Sequence, residues 1–358
     1  MKNNYKNKKV LITGNTGFKG TWLTLTLHLF GAKVIGYADK LPKKNSVIDS
    51  IWMQNNITQY RKKIENITAL KSVIKKEKPD IIFHLAAQPL VLESYKRPKS
   101  TFFTNMMGTV NLLESIREIS PEVPTVIITS DKVYSTSIYK KYKENDKLGG
   151  IDPYSTSKVC VEYLAKCYSN MGLKIITARA GNIIGGGDWS KDRIIPDIMR
   201  SYLKNKPISL RNPSYTRPWL YILDVIEGYL LIGQKLFNID KINYFTSYNL
   251  SPNYKKSYSV YELTKEIQKY LNIKKINFNS KSLYEENKFL QLNSSKIHQE
   301  LDWKAKTSFR IAIKKTANWY EINNHKNKQV HTENEIMNYF PERIKNSFNK
   351  IFKEKKYA

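Results

Sequence analysis

Val10–Leu23 reads VLITGNTGFKGTWL: an apolar run, then three glycines, then an amphipathic segment. Gly14, Gly17 and Gly20 stand at the handover from a strand to a helix. Glycine suits that position because the backbone must turn sharply and come close to a pyrophosphate. The helix that follows offers free N–H groups and the positive end of its dipole to the anion. Glycine-rich turns end many strands, but this one has the correct strand before it and helix after it. Asp39 ends the next apolar run, about 20 residues further on, where an acid binds adenosine ribose hydroxyls. Such an acid opposes a 2′-phosphate, so NAD is favoured over NADP; the alternative is a solvated loop aspartate.

Working outward, strands alternate with helical patterns. Strands are expected over 8–14, 32–39, 80–86, 125–131 and 173–184, and helices over 18–31, 67–79, 102–119 and 157–172. That alternation implies right-handed crossovers and a Rossmann-type α/β fold, a doubly wound parallel sheet. After about residue 185 the pattern loosens into Gly-, Pro- and Trp-containing loops. The expected division is a dinucleotide-binding domain over 1–185, with 219–248 returning to it, and a smaller substrate-binding domain over 186–325. A basic helical tail, 326–358, is interrupted by Pro341.

The chain has 358 residues, 41% of them hydrophobic and 12% aromatic, enough for a well-buried core. No apolar run approaches the ~20 residues that span a bilayer. Thr13, Asn15 and Lys19 interrupt the basic start before any signal-peptide core forms, so a cytoplasmic protein without membrane insertion is expected. Cys160 and Cys167 lie two helical turns apart, ~10 Å, too far for a disulfide, and are expected to be core residues in a reducing compartment. The net charge of +29 raises the question of a nucleic-acid partner. Its lysines are spread along the whole chain, with no Arg-rich helix, zinc-finger spacing or RNA-binding aromatic signature. No nucleic acid and no metal are expected.

The spacing Tyr-x-x-x-Lys occurs at Tyr5, Tyr95, Tyr139, Tyr154, Tyr202, Tyr261, Tyr270 and Tyr284, so by itself it carries almost no information. Only PYSTSK, with Tyr154 and Lys158, opens a long amphipathic helix just after the strand that ends in TSD. Residues i and i+4 share a helix face, so the Lys158 ammonium is expected to lower the pKa of the phenol and make it a usable base.

These residues carry a resemblance. The chain resembles the extended short-chain dehydrogenases/reductases, and among them the CDP-glucose 4,6-dehydratases. The matching stretches are LITGNTGFKGTWL, FHLAAQPLVLESY, TNMMGTVNLLE, ITSDKVY, ENDKLGGIDPYSTSK, RAGNIIGGGDWSKDRIIPDI and TRPWLYILD, together spanning roughly 8–225. The resemblance implies NAD as cofactor and a CDP-sugar as substrate. It implies cofactor contacts at Gly14, Thr16, Gly17, Phe18, Lys19, Gly20, Asp39, Leu85, Ala86, Ala87, Tyr154 and Lys158. Tyr154, assisted by Ser130 and Lys158, would take the C4 hydroxyl proton as hydride leaves C4. Asp131 would act as acid toward the C6 oxygen and Lys132 as base toward C5, before hydride returns to C6. Lysine at 132, where related dTDP-glucose and GDP-mannose dehydratases have glutamate, is what the CDP-glucose branch shows. A lysine works as a base only when neutral, a form that burial and neighbouring cations favour.

The same resemblance implies substrate contacts at Gln88, Ser130, Asn182, Arg193 and Arg217, the arginines binding phosphate oxygens through a planar fork. His84 reads instead as a satisfied core histidine. A homodimer or dimer of dimers is implied, through a four-helix contact using 102–119 and 157–172. Two stretches depart from the family pattern. KKIEN, 62–66, puts Lys63 where an aspartate would contact the adenine amino group, so looser NAD binding is expected. STSIYKKYKEN, 135–145, lacks the tryptophans expected near the substrate.

Overall fold

The computed structural model describes residues 4–342 except 44, 136–140, 240–243, 255, 274–275, 280–288 and 323. Part of the altered stretch 135–145 and the end of the basic tail therefore lie outside the described residues.

Seven strands form the central sheet: β1 Lys9–Thr13, β2 Lys33–Ala38, β3 Thr58–Arg61, β4 Ile81–His84, β5 Thr125–Ile128, β6 Ile175–Ala180 and β7 Phe245–Leu250. In space they run β7-β6-β5-β4-β1-β2-β3, and every neighbouring pair is parallel. The order reverses at β1, between β2 and β4, which is where a doubly wound sheet opens a crevice at its carboxyl edge. The central strands read as near-continuous apolar runs because helices cover both faces. Alternation along β1 sends Val10 and Ile12 to one core and Leu11 to the other. The first core also takes Trp22, Leu23 and the helix Ile222–Phe237. The second takes Leu70, Ile74, Leu112, Ile116, Val161 and Ala165.

Local chemistry places the ends of elements. Asn66 caps the helix Ile67–Glu77 by accepting from the Ala69 N–H. Asp152 and Ser155 form a capping box with Pro153 at the first helical position, so the helix Pro153–Asn170 starts earlier than periodicity alone suggests. The helix expected over 102–119 begins at Pro98 and continues through a π turn, Phe103–Met107, into Gly108–Ile119. The strand expected over 173–184 stops at Ala180, and Ile183–Ile184 pairs separately with Leu220–Tyr221. The cysteine reading needs correction. Both are free, but Cys167 is exposed and Cys160 half-buried, because the helix turns that face away from the sheet.

The helix His325–Tyr339 docks on the first core through Ile336. The Trp319 indole donates to Thr332 Oγ1 at 2.9 Å, and the Tyr339 hydroxyl donates to Asp224 Oδ1 at 2.6 Å. Among the described residues no helix is long and apolar enough to cross a membrane.

Candidate active site

The glycine turn fits a dinucleotide for reasons visible in its packing. Gly14 has φ +71°, and a Cβ on it would lie 2.7 Å from the Ala86 nitrogen. A Cβ on Gly20 would lie 2.2 Å from the Gly14 carbonyl oxygen. Both glycines are demanded by close backbone approach. Gly17 differs: a Cβ there would meet only the Gly14 carbonyl, at 3.4 Å, and the residue is exposed. Gly17 is also the N-cap of the helix Phe18–Leu29, with no side chain capping the first turn and no acid in it. The free N–H groups therefore open onto an uncrowded surface, the donor set a pyrophosphate requires. Thr16, Phe18 and Lys19 line this turn half-buried. Leu85, Ala86 and Ala87 follow β4 beside it, with the Leu85 N–H on the Thr13 carbonyl at 3.0 Å. Asp39 follows β2 and is exposed, as is Lys63.

At the end of β5 the chain turns through Asp131–Val133, a single 3₁₀ turn capped by Ser130. The Ser130 hydroxyl accepts from the Lys132 N–H at 3.2 Å and donates to Asp131 Oδ1 at 3.0 Å. Asp131 is 3% exposed, and its Oδ2 has no hydrogen-bond partner. Burial pushes its carboxyl up, while Lys132, Ser130 and Arg217 pull it back. A carboxyl so placed holds a proton more readily than a surface aspartate, which suits an acid. Lys132 is half-buried beside it.

Tyr154 and Lys158 are both buried on the first turns of the capped helix. Lys158 Nζ donates to the Ile128 carbonyl at 3.0 Å, and burial lowers its pKa to about 8, against the raising effect of Glu162. The expected effect on the phenol does not follow. Burial pushes Tyr154 up to about 12, and the groups that pull it back are Ser130 and Arg193 rather than Lys158. The lysine donates instead to the strand carbonyl of Ile128.

Beneath this cluster lies a closed polar network. Arg179 on β6 grips Glu162 in a fork, with Nε to Oε1 at 2.9 Å and Nη2 to Oε2 at 2.8 Å. Thr129 and Thr177 donate to the same carboxylate, at 2.5 and 2.8 Å. Arg179 Nη1 also donates to the Tyr134 hydroxyl at 2.8 Å, and Tyr134 stacks on Tyr142 at 5.1 Å. The network ties the helix of Tyr154 to the strand ends and to the turn that carries Asp131.

The other expected site residues divide. Arg217 is buried, close enough to Asp131 to act on its carboxyl. Arg193 stands at the N-cap position of the helix Ile194–Leu203, without a capping side-chain bond, and pairs with Asp188 at 3.2 Å. Asn182 is half-buried, and its carbonyl accepts from Leu220 at 2.9 Å. Gln88 is not free for a substrate: its amide donates to the Leu90 carbonyl and Thr101 Oγ1, and its oxygen accepts from the Leu90 N–H. His84 is a core residue, with Nδ1 2.7 Å from Thr13 Oγ1, Nε2 3.0 Å from Thr109 Oγ1, and burial lowering its pKa to about 3.

Sequence reasoning assigned Lys19 to the cofactor loop and missed where its side chain goes. Lys19 Nζ lies 3.4 Å from the hydroxyl of Tyr229, a buried residue of Ile222–Phe237. Burial, then the cations of Lys158 and Arg193, lower its pKa to about 7. No sequence signal announces Tyr229, which is one of many apolar-face residues on its helix.

Comparison with known proteins bears on the family and the fold. The family model described as GDP-mannose 4,6 dehydratase matches residues 11–316. The CDP-glucose 4,6-dehydratase of Salmonella typhimurium is 35% identical over 332 residues, 89% of this chain and 92% of that protein. The human dTDP-D-glucose 4,6-dehydratase is 27% identical, over 90% of this chain and 93% of its own. Among solved structures, the dTDP-glucose 4,6-dehydratase of Bacillus anthracis in complex with NAD superposes with a TM-score of 0.76. It is 24% identical, over 88% of this chain and 97% of that one, and shares the fold. A chain with this sheet order, this glycine turn and this match over most of its length belongs to the GDP-mannose 4,6-dehydratase family.

Proposed function

We propose that the protein is an NAD-dependent hydro-lyase that converts CDP-glucose to CDP-4-keto-6-deoxyglucose. The observation that carries the reading is a buried, raised-pKa carboxyl, Asp131, set between a lysine and a serine at the strand end facing Tyr154. The near-full-length relation to a CDP-glucose 4,6-dehydratase supplies the substrate class.

In this reading the chain's own groups move three protons. Tyr154 takes the proton of the C4 hydroxyl, with Ser130 beside it. The resulting 4-ketone acidifies C5, whose proton passes to Lys132. Asp131 gives a proton to the C6 oxygen, which leaves as water, and Lys132 then protonates C5. The O4 proton must finally replace the one Asp131 gave, so one water leaves and the protein is restored. When bound, NAD supplies the hydride acceptor and donor and a positive ring charge that favours ionisation of a nearby phenol. Gly14, Gly17 and Gly20 with the helix N-terminus would hold it. Arg193 and Arg217 would hold the substrate diphosphate, and Asn182 would line the same side. The lobe over 186–325, apart from 219–248, would close over the sugar nucleotide.

An assay with CDP-glucose, dTDP-glucose, UDP-glucose and GDP-mannose, each with NAD or NADP, tests the reading. CDP-glucose with NAD is expected to be converted far better than any other pair. Preference for a different sugar nucleotide overturns the substrate, and equal rates with NADP overturn the role of Asp39.

A homodimer is part of the proposal. Phe103 and Met107 on the π turn, Tyr163 on the neighbouring helix and Met171 at its C-terminal end are exposed. Such large apolar groups on adjacent helices suit a four-helix contact between two copies. Sedimentation equilibrium is expected to give at least twice the chain mass, and Phe103→Asp to lower it. A native monomer at micromolar concentration overturns the dimer.

A further inference from the structure

Three segments meet at Gly181. It follows β6, it precedes Asn182, and it faces both the Asp131 turn and the Arg217-Pro218 step. A Cβ at this position would lie 2.5 Å from Pro218 Cγ and 2.9 Å from Asp131 Oδ2. The reason for glycine here is space and not backbone conformation, because Gly181 is absent from the residues with positive φ. Its neighbours have little room to give way. Asp131 is enclosed, its Oδ1 is tied to Ser130 at 3.0 Å, and the turn is anchored by buried Val133 and Tyr134. Pro218 is a rigid ring, followed by a buried Trp219 whose indole donates to the Tyr258 carbonyl at 2.9 Å. The oxygen that Gly181 accommodates is Oδ2, the one without a hydrogen-bond partner.

We propose that Gly181 is a positioning residue for Asp131: the side chain it lacks is the space that keeps Oδ2 aimed at the C6 leaving group. A methyl group there displaces the carboxyl from its place without removing it. The inference rests on Asp131 being the acid of the proposed reaction.

The experiment compares Gly181→Ala in the native and Asp131→Ala backgrounds. A misplacement near 1 Å costs about 10²-fold, so Gly181→Ala is expected to slow turnover of CDP-glucose by that order. C4 oxidation does not need Asp131, so NADH is expected to form in a single turnover and persist. A 6-deoxy-6-fluoro substrate, whose fluoride leaves with less proton assistance, is expected to recover most of the rate. In the Asp131→Ala background, with Pro218→Ala also present to remove the other clash, the same glycine change is expected to cost little more. Adding Pro218→Ala relieves the closer clash but not the one with Asp131, so the loss is expected to remain; full recovery there overturns the inference. So does a Gly181→Ala rate within about threefold of native, well below one general-acid contribution, or an equal loss in both backgrounds. If the native protein does not act on CDP-glucose, the functional reading falls by itself. A crystal structure of Gly181→Ala with the Asp131 carboxyl unmoved overturns the positioning role whatever the reaction.

Discussion

Lys132→Met is expected to stop the reaction halfway. Methionine keeps much of the length and the apolar stem of the lysine but cannot take a proton from C5. NAD and CDP-glucose binding should stay close to native, since the glycine turn and the arginines are untouched. NADH should appear in a single turnover and persist, no solvent deuterium should enter the sugar, and no 6-deoxy product should form. The loss in turnover is expected to reach or exceed ~10²–10⁴-fold, the span of one general-base contribution. Tyr154→Phe should fail earlier, with no NADH formed at all. Turnover of Lys132→Met within about threefold of native would leave the Asp131–Lys132 pair a structural one, because that is far below a general-base contribution.

Arg179→Met is expected to show the largest loss of stability. The Arg179 and Glu162 side chains are only 4% and 1% exposed. Burial works to raise the Glu162 carboxyl, and Arg179, Thr129 and Thr177 outweigh it and hold it low. Removing the guanidinium strands a buried anion, at a cost of ~3–5 kcal/mol. Denaturant unfolding reads this directly. Arg179→Met with Glu162→Gln should recover part of the loss, because the remaining group is neutral. A single variant within about 1 kcal/mol of native, the range of an exposed ion pair, would show that the network is dispensable. The same loss bears on activity, since Glu162 is the group that raises Lys158.

The two predictions separate chemistry that the resemblance pointed to from support that only packing reveals. Lys132, Asp131 and Tyr154 could be named from ITSDKVY and PYSTSK in their places along the chain. Arg179 and Glu162 belong to stretches that also read as ordinary strand and helix, and nothing in their spacing says that they meet.

What the sequence determined by itself is local in origin. Apolar runs of strand length, helical periodicity and the Gly14-Gly17-Gly20 turn specify the parallel sheet and the dinucleotide crevice, because these depend on residues a few positions apart. Five of the seven strands were legible in this way; Thr58–Arg61 and Phe245–Leu250, and their places at the two edges of the sheet, were decided by the tertiary structure. The tertiary structure decided matters of long-range contact and of the electrostatic field inside the site. It spends the Gln88 amide on Leu90 and Thr101, turns Lys158 toward the Ile128 carbonyl, and brings Lys19 to Tyr229, 210 positions away. It sets Gly181 against Asp131 and Pro218, where an added Cβ would crowd both side chains. The phenol of Tyr154 stands at about 12 for a reason of the same kind. Burial acts through everything that surrounds a group, whereas sequence spacing records only its neighbours along the chain.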